Sequence, residues 1–284
     1  MTLQATDSIQ KFVDLPSGRV AYAERGRGPA ALFVHGVFLN GHLWRDSLAQ
    51  LSDLRRCIAV DLLAHGASEA RPGADLSFAG QAEMLRQLVD ALGIDRVDLV
   101  ANDSGGGIAQ IFAANHRDRI RSLVLTNCDT HDNWPPAAFQ PTVAAARSGQ
   151  LTAALPAMLA NPELARGALG VGFEDPSKLS DESLRVYLTP FADPARAADL
   201  VRFFEAMDCS QTVAIEGELA KLEAPTLLVW GTGDEFFDVA WAHWLARTIP
   251  GAKRVVELPG AKLFFPDERS AELIAELRKH WEAI

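Results

Sequence analysis

Short apolar runs alternate with amphipathic stretches along most of this chain, a rhythm that predicts strands separated by helices. Two strands with hairpin-like spacing open it, around Lys11–Leu15 and Arg19–Glu24. Ala30–Val34 is wholly apolar, reads as a buried strand and ends at His35-Gly36. A helix over His42–Leu51 leads to a strand at Cys57–Val60. Phe78, Ala82, Leu85, Leu88, Val89 and Leu92 recur at helical spacing, and Gly93 stands where a C-cap belongs. A strand at Val97–Ala101, a helix to about Asn115 and a strand at Ser122–Thr126 follow. Alternation of this kind predicts an α/β fold, with a mostly parallel sheet and helices on both faces.

The rhythm breaks at Trp134-Pro135-Pro136. From 134 to 217 the chain is Ala-rich and helical, interrupted by Pro156, Pro162, Pro176, Pro190 and Pro194, and nothing in it reads as a buried parallel strand. The expected organisation is therefore a core of residues 1–133 and 218–284, with a helical cap at 134–217 inserted over the sheet. Alternation resumes with strand Thr226–Trp230, helix Val239–Thr248, strand Arg254–Leu258 and a last amphipathic helix, Glu268–Ala283. No internal repeat, low-complexity tract or long linker interrupts it.

Composition narrows the function classes. The 284 residues, 48% of them hydrophobic, suffice for one large α/β domain or a core with an insertion. A net charge of −10 argues against nucleic acid or an anionic membrane as partner. The first residues lack a basic start followed by an apolar core, so no signal peptide is expected. No run approaches the roughly 18 apolar residues of a membrane helix. Cys57, Cys128 and Cys209 are odd in number and not at metal-ligand spacing, which suits reduced thiols in a cytoplasmic protein. With no metal-ligand cluster, phosphate loop or dinucleotide fingerprint, neither cofactor nor metal is expected. The partner implied is a small-molecule substrate. The sequence does not fix the oligomeric state.

Chemistry concentrates in Val97–Gly107, VDLVANDSGGG. A strand that turns sharply into a helix exposes one side chain at the turn, provided small residues stand two positions to either side. Ala101 and Gly105 bracket Asp103 in this way. Asp103 is then a candidate carboxylate nucleophile, forming an ester with carbon. At a helix N-terminus the dipole favours its ionised form. One rival frame puts Ser104 at the apex, flanked by Asn102 and Gly106. Another makes Asp103 a plain N-cap.

The segment resembles the nucleophile elbow of the α/β-hydrolases, usually built around Ser. The resemblance covers nearly the whole chain. Its landmarks are His35-Gly36, then Asp61-Leu62-Leu63-Ala64-His65-Gly66-Ala67-Ser68, the elbow, and Trp230-Gly231-Thr232-Gly233-Asp234. It implies an oxyanion hole from the backbone N–H groups of Val37 and Ser104, and an acid at Asp234. An Asp nucleophile resembles the haloalkane dehalogenase and epoxide hydrolase branches, which attack a saturated carbon and then cleave the ester with water. Many dehalogenases hold the halide with Trp after the nucleophile and Asn after His-Gly; here Ser104 and Val37 stand there, with Asn40 and Trp44 offset. Epoxide hydrolases use cap tyrosines, and Tyr187 is the single Tyr in the insertion.

The larger departure is Pro259-Gly260-Ala261-Lys262-Leu263-Phe264, where Leu263 occupies the place of the family's catalytic His. Among the histidines, His131 follows a strand at the ligand-binding end of the sheet, flanked by Asp129 and Asp132. It is the expected base, with Asp129, Asp132 or Asp234 orienting it. A loop His satisfied by a neighbouring carboxylate is the plainer alternative. Lys262 as base needs strong desolvation. The resemblance makes His35 and His65 loop-shaping residues, and the expected pocket lining is His35, Phe38, Trp134, Tyr187 and Leu263. The leading function is hydrolysis of a small, mostly apolar molecule through an Asp103 ester. Ester or lactone hydrolysis, lyase or isomerase chemistry with Asp103 as acid/base, and ligand binding without turnover are the alternatives.

Overall fold

Side-by-side pairing of the apolar runs forms a nine-stranded sheet, buried along its central strands and partly exposed at its edges, in a computed structural model that describes residues 10–284. The strands are β1 (Gln10–Leu15), β2 (Gly18–Arg25), β3 (Ala30–Val34), β4 (Arg56–Val60), β5 (Glu69–Ala70), β6 (Val97–Asp103), β7 (Ile120–Cys128), β8 (Thr226–Gly231) and β9 (Ala252–Leu258). They lie in the order β1-β2-β4-β3-β6-β7-β8-β9, with β5 on β2. The β1, β2 and β5 pairings are antiparallel and the rest parallel. Register stacks Ala59, Phe33, Val100, Val124 and Leu227 in one row across five strands, all fully buried. This continuous apolar row is why these strands read as unbroken hydrophobic runs. The signal-peptide expectation concerns the first residues, which lie outside the described ones apart from the start of β1.

Strand order also positions the site. β3 has β4 on one side and β6 on the other, so the connections diverge there and leave a crevice at the carboxyl ends of β3 and β6. Val37 follows β3, and Asp103 ends β6.

The helices are α1 (Arg45–Leu51), α2 (Phe78–Ala91), α3 (Ser104–Asn115), α4 (Gln140–Arg147), α5 (Gln150–Ala160), α6 (Pro162–Leu169), α7 (Asp181–Leu188), α8 (Pro194–Glu205), α9 (Ser210–Val213), α10 (Glu216–Leu219), α11 (Val239–Thr248), α12 (Phe265–Glu268) and α13 (Ser270–Glu282). The predicted helix at His42–Leu51 divides, because the Asn40 side chain caps a tight turn at Gly41–Trp44 before α1 begins. Helices α4 to α10 fill the stretch between β7 and β8, where the insertion was expected. The short α9 and α10 pack on α3, so the end of that stretch belongs to the core layer. Among the described residues no helix is long and apolar enough to cross a membrane.

Candidate active site

The end of β6 builds the site. Its pairing with β7 slips between Ala101 and Asp103. Asp103 then adopts φ 56°, ψ −135°, a conformation that costs a non-glycine residue roughly 1–3 kcal/mol. Its side chain caps nothing in α3, which removes the N-cap reading. Close approach explains the glycines around it. A Cβ on Gly105 would sit 2.4 Å from the His35 carbonyl, and one on Gly106 2.2 Å from Cys128 Cβ. A Cβ on Gly36 would fall 2.1 Å from Asp103 Oδ2. That closeness lets the Val37 N–H donate to Asp103 Oδ2 at 3.0 Å.

Of the two roles expected of His35, the structure gives it loop bonds, and its placement in the pocket lining is corrected. Its Nδ1–H donates to Gly36 O at 2.7 Å, and Nε2 accepts from Leu62 N at 3.0 Å. Both nitrogens are used by one neutral ring, and burial pushes its pKa down to about 3. His65 is likewise buried, and burial takes its pKa down to about 4.

Above the elbow lies a cavity of about 620 Å³, bordered by Asp103, Ser104 and Asp129. Of the residues named for the pocket, Phe38, Trp134 and Leu263 line it, together with Val37, with Phe139, Leu151 and Leu169 from the helical stretch between β7 and β8, and with Phe236 and Phe237 after β8. Three carboxyls with raised pKa lie at or behind its wall. Burial pushes Asp103, 8% exposed, up to about 7; the charge of Asp234 adds to this, while amide donors from Val37 and Ser104 oppose it. Burial holds Asp129 well above the usual carboxylate range, and the charge of Asp103 adds to that. Ser104 Oγ donates to Asp129 Oδ2 at 3.0 Å, whereas Oδ1 is buried without a partner. Asp234 sits behind the lining. Its Oδ1 accepts from Phe236 N at 2.9 Å and its Oδ2 from Asn127 Nδ2 at 2.8 Å, while burial raises it to about 6. Among the described residues no three His, Cys, Asp or Glu side chains are grouped to hold a metal ion.

His131 is elsewhere, and its expected role as base is corrected. Its backbone turns at φ 51°. The ring, its side chain 23% exposed, lies between Asp132 at 3.2 Å and Glu216 at 3.3 Å, with the Trp244 ring centroid 4.8 Å away. Its neighbour Asp129 keeps to the cavity, so the two do not form a couple. Tyr187 is corrected too: it lies outside the lining, and its hydroxyl donates to Asp267 Oδ2 at 3.3 Å. Lys262 pairs with Glu235 at 2.7 Å. Among the described residues no histidine borders the cavity.

Two asparagines escaped sequence reasoning. Asn127 accepts from Gly231 N at 2.7 Å and donates to Asp234, tying β7 to β8. Asn102 Nδ2 donates to Thr126 Oγ1 at 2.9 Å and Leu263 O at 3.0 Å, drawing the loop after β9 onto the elbow. Their signal was two polar residues at the ends of otherwise apolar strands.

Residues 29–268 match the family described as the alpha/beta hydrolase fold. Haloalkane dehalogenase 2 of Mycobacterium tuberculosis (strain ATCC 25618 / H37Rv) is 29% identical over 273 residues, 94% of this chain and 93% of that protein. An uncharacterized protein of the same strain is 30% identical over 246 residues, 83% of this chain and 70% of that protein. An epoxide hydrolase solved without ligand superposes with a TM-score of 0.81 at 21% identity, covering 98% of this chain and 99% of the other, a likeness of fold. The chain belongs to the α/β-hydrolase fold family, and is a hydrolase enzyme whose reaction class the family leaves open.

Proposed function

We propose that this protein hydrolyses a small, largely apolar molecule by attack of the Asp103 carboxylate on a saturated carbon. The observation that carries the reading is Asp103 itself. It stands at a strained elbow, one oxygen held by the Val37 N–H, at the edge of an apolar cavity. With Oδ2 in the oxyanion hole, Oδ1 is the attacking atom. Once it is alkylated, Oδ2 becomes the carbonyl oxygen of an ester. Water adding to Cγ then develops charge on Oδ2, where the Val37 and Ser104 amides stabilise it. The names of similar proteins, haloalkane dehalogenase and epoxide hydrolase, fit chemistry at saturated carbon.

In this reading residues 134–217 act as the cap that closes the cavity. A small-molecule partner, rather than nucleic acid or membrane, fits the net charge of −10. The free thiols Cys57, Cys128 and Cys209 suit a reducing, cytoplasmic setting. Acyl chemistry at Ser104 is less well supported, because its hydroxyl is engaged by a carboxylate and, among the described residues, no imidazole borders the cavity to take its proton. One observation favours a second reading: a carboxyl pushed up to about 7 also suits proton transfer in a lyase or isomerase reaction.

The test is intact mass after exposure to primary alkyl bromides and small apolar epoxides. The wild-type protein should release alcohol or diol, or carry an adduct on Asp103. Asp103→Asn should do neither. An adduct that persists in Asp103→Asn, or rearranged product formed with no adduct, overturns the ester route.

A further inference from the structure

An ester route needs proton traffic that nothing assigned so far supplies. Leu263 stands where a base belongs, the His131 ring lies between Asp132 and Glu216, and Tyr187 is spent on Asp267. Both Asp234 oxygens are engaged behind the wall. Asp129 remains. It follows β7 beside the start of α3, is 1% exposed and borders the same cavity as Asp103. Ser104 fixes its Oδ2, and its buried Oδ1 has no partner among the described residues.

We infer that Asp129 is the proton carrier of this site, giving its proton to an oxygen leaving group as Asp103 attacks and then taking one from the water that cleaves the ester. The inference rests on Asp103 being the nucleophile, and it names the substrate class as small apolar epoxides. Two neighbouring buried carboxyls do not both ionise at neutral pH. Backbone N–H donors favour the anion on Asp103, while a single hydroxyl serves Asp129. The proton therefore resides on Asp129 and the charge on Asp103, as acid and nucleophile require.

The steps balance. Asp103 Oδ1 bonds to a ring carbon as the carbon–oxygen bond breaks, and the ring oxygen takes the Asp129 proton. The ester is neutral, so the charge that held the Asp129 proton is gone and Asp129 is left as a carboxylate. It takes a proton from water while the hydroxide adds to Cγ. Collapse expels the second alkoxide, which takes the proton of the newly formed Asp103 acid. Epoxide and water become a diol, and both carboxyls return to their starting states. A halide leaves without a proton, so a proton carrier at Asp129 has a use in the first step only where the leaving atom is oxygen, and the Ser104 hydroxyl is already committed to Asp129. Trp134 Nε1 is buried without a partner among the described residues, and such a donor suits oxygen and halide alike, so it does not choose between them.

The experiment compares the wild-type chain with Asp129→Asn, using styrene oxide and a primary alkyl bromide, by rapid quench and intact mass. Asparagine keeps an acceptor for Ser104 but carries no transferable proton. In the variant, epoxide opening should fall on the order of 10²–10⁴-fold. The bromide leaves without a proton and should still alkylate Asp103. In the wild type Asp129 must then give its proton to solvent, balancing the bromide released, before it can take one from water and cleave the ester, whereas in the variant the ester should stay bound. Epoxide turnover or ester release at the wild-type rate in Asp129→Asn overturns the inference while leaving Asp103 as nucleophile. Wild-type turnover of the bromide but not the epoxide overturns the substrate class. Absence of any ester on Asp103 overturns both readings together. Should the variant fold poorly, the wild-type pH profile decides. Epoxide opening should decline as Asp129 loses its proton, with Asp103 and Cys128 the titratable groups beside it and Asp234 acting on Asp103, while bromide alkylation should not. Parallel profiles for the two probes overturn the inference.

Discussion

At the scale of single residues, Asp103 is held in a costly state. Its pKa stands near 7 in the fold against 3.8 for the free side chain, so the folded protein binds its proton more tightly than the unfolded chain. The stability this contributes is full below the unfolded value and is lost as pH rises through about 7. Asp103→Asn removes the dependence. Its melting temperature should match the wild type near pH ~4 and exceed it by several degrees near pH ~8, a gain of at most ~4 kcal/mol. A variant less stable than the wild type at both ends contradicts this. Asp103 was legible in the sequence because small flanking residues are required on both sides of an elbow. His131 was misread because adjacency to a strand end fixes where a backbone goes, not where a ring points. The positive φ at His131 carries its ring away from Asp129, and no sequence pattern announces that turn.

At the scale of elements, the elbow and the loop after β9 meet through the Asn102 to Leu263 hydrogen bond. The backbone path that brings a histidine to the nucleophile is therefore present although the histidine is not, and Leu263 borders the cavity. Leu263→His should place an imidazole toward Asp103. Ester release, followed by intact mass after a single alkyl bromide turnover, should then speed up about tenfold or more. Unchanged release would show that this loop does not face the ester. The strands were legible because their buried runs are continuous. The insertion was legible only as helical, because its helices are short and its prolines ambiguous. Pro162 and Pro194 start helices, whereas Pro156 lies inside one.

At the scale of the whole molecule, the helical stretch between β7 and β8 is anchored to α1 and α12 by a part-buried polar tie. Tyr187 on α7 donates to Asp267 on α12, which also receives Arg45 from α1 at 2.5 Å. The tie explains why a tyrosine in the insertion is not at the cavity. Tyr187→Phe removes one hydrogen bond to a carboxylate and should cost roughly 1.5–3 kcal/mol. Turnover should stay within about threefold of wild type, against the 10²–10⁴-fold expected of a proton donor. Thermal melts and steady-state rates on one preparation check both, and a large rate loss at unchanged stability would return Tyr187 to the chemistry. No sequence pattern pairs residues 187 and 267, so this tie became visible only in the fold.

A covalent bond to Asp103 is tested most directly by oxygen exchange. A single turnover in heavy-oxygen water, with enzyme in excess over substrate, is followed by digestion and mass analysis of the peptide that carries Asp103. If water attacks Cγ of the ester, the heavy oxygen enters the Asp103 carboxylate and the first-turnover product carries ordinary oxygen from the protein. Heavy oxygen in the product alone, with Asp103 unlabelled, would mean that water attacks the substrate directly and that no ester forms.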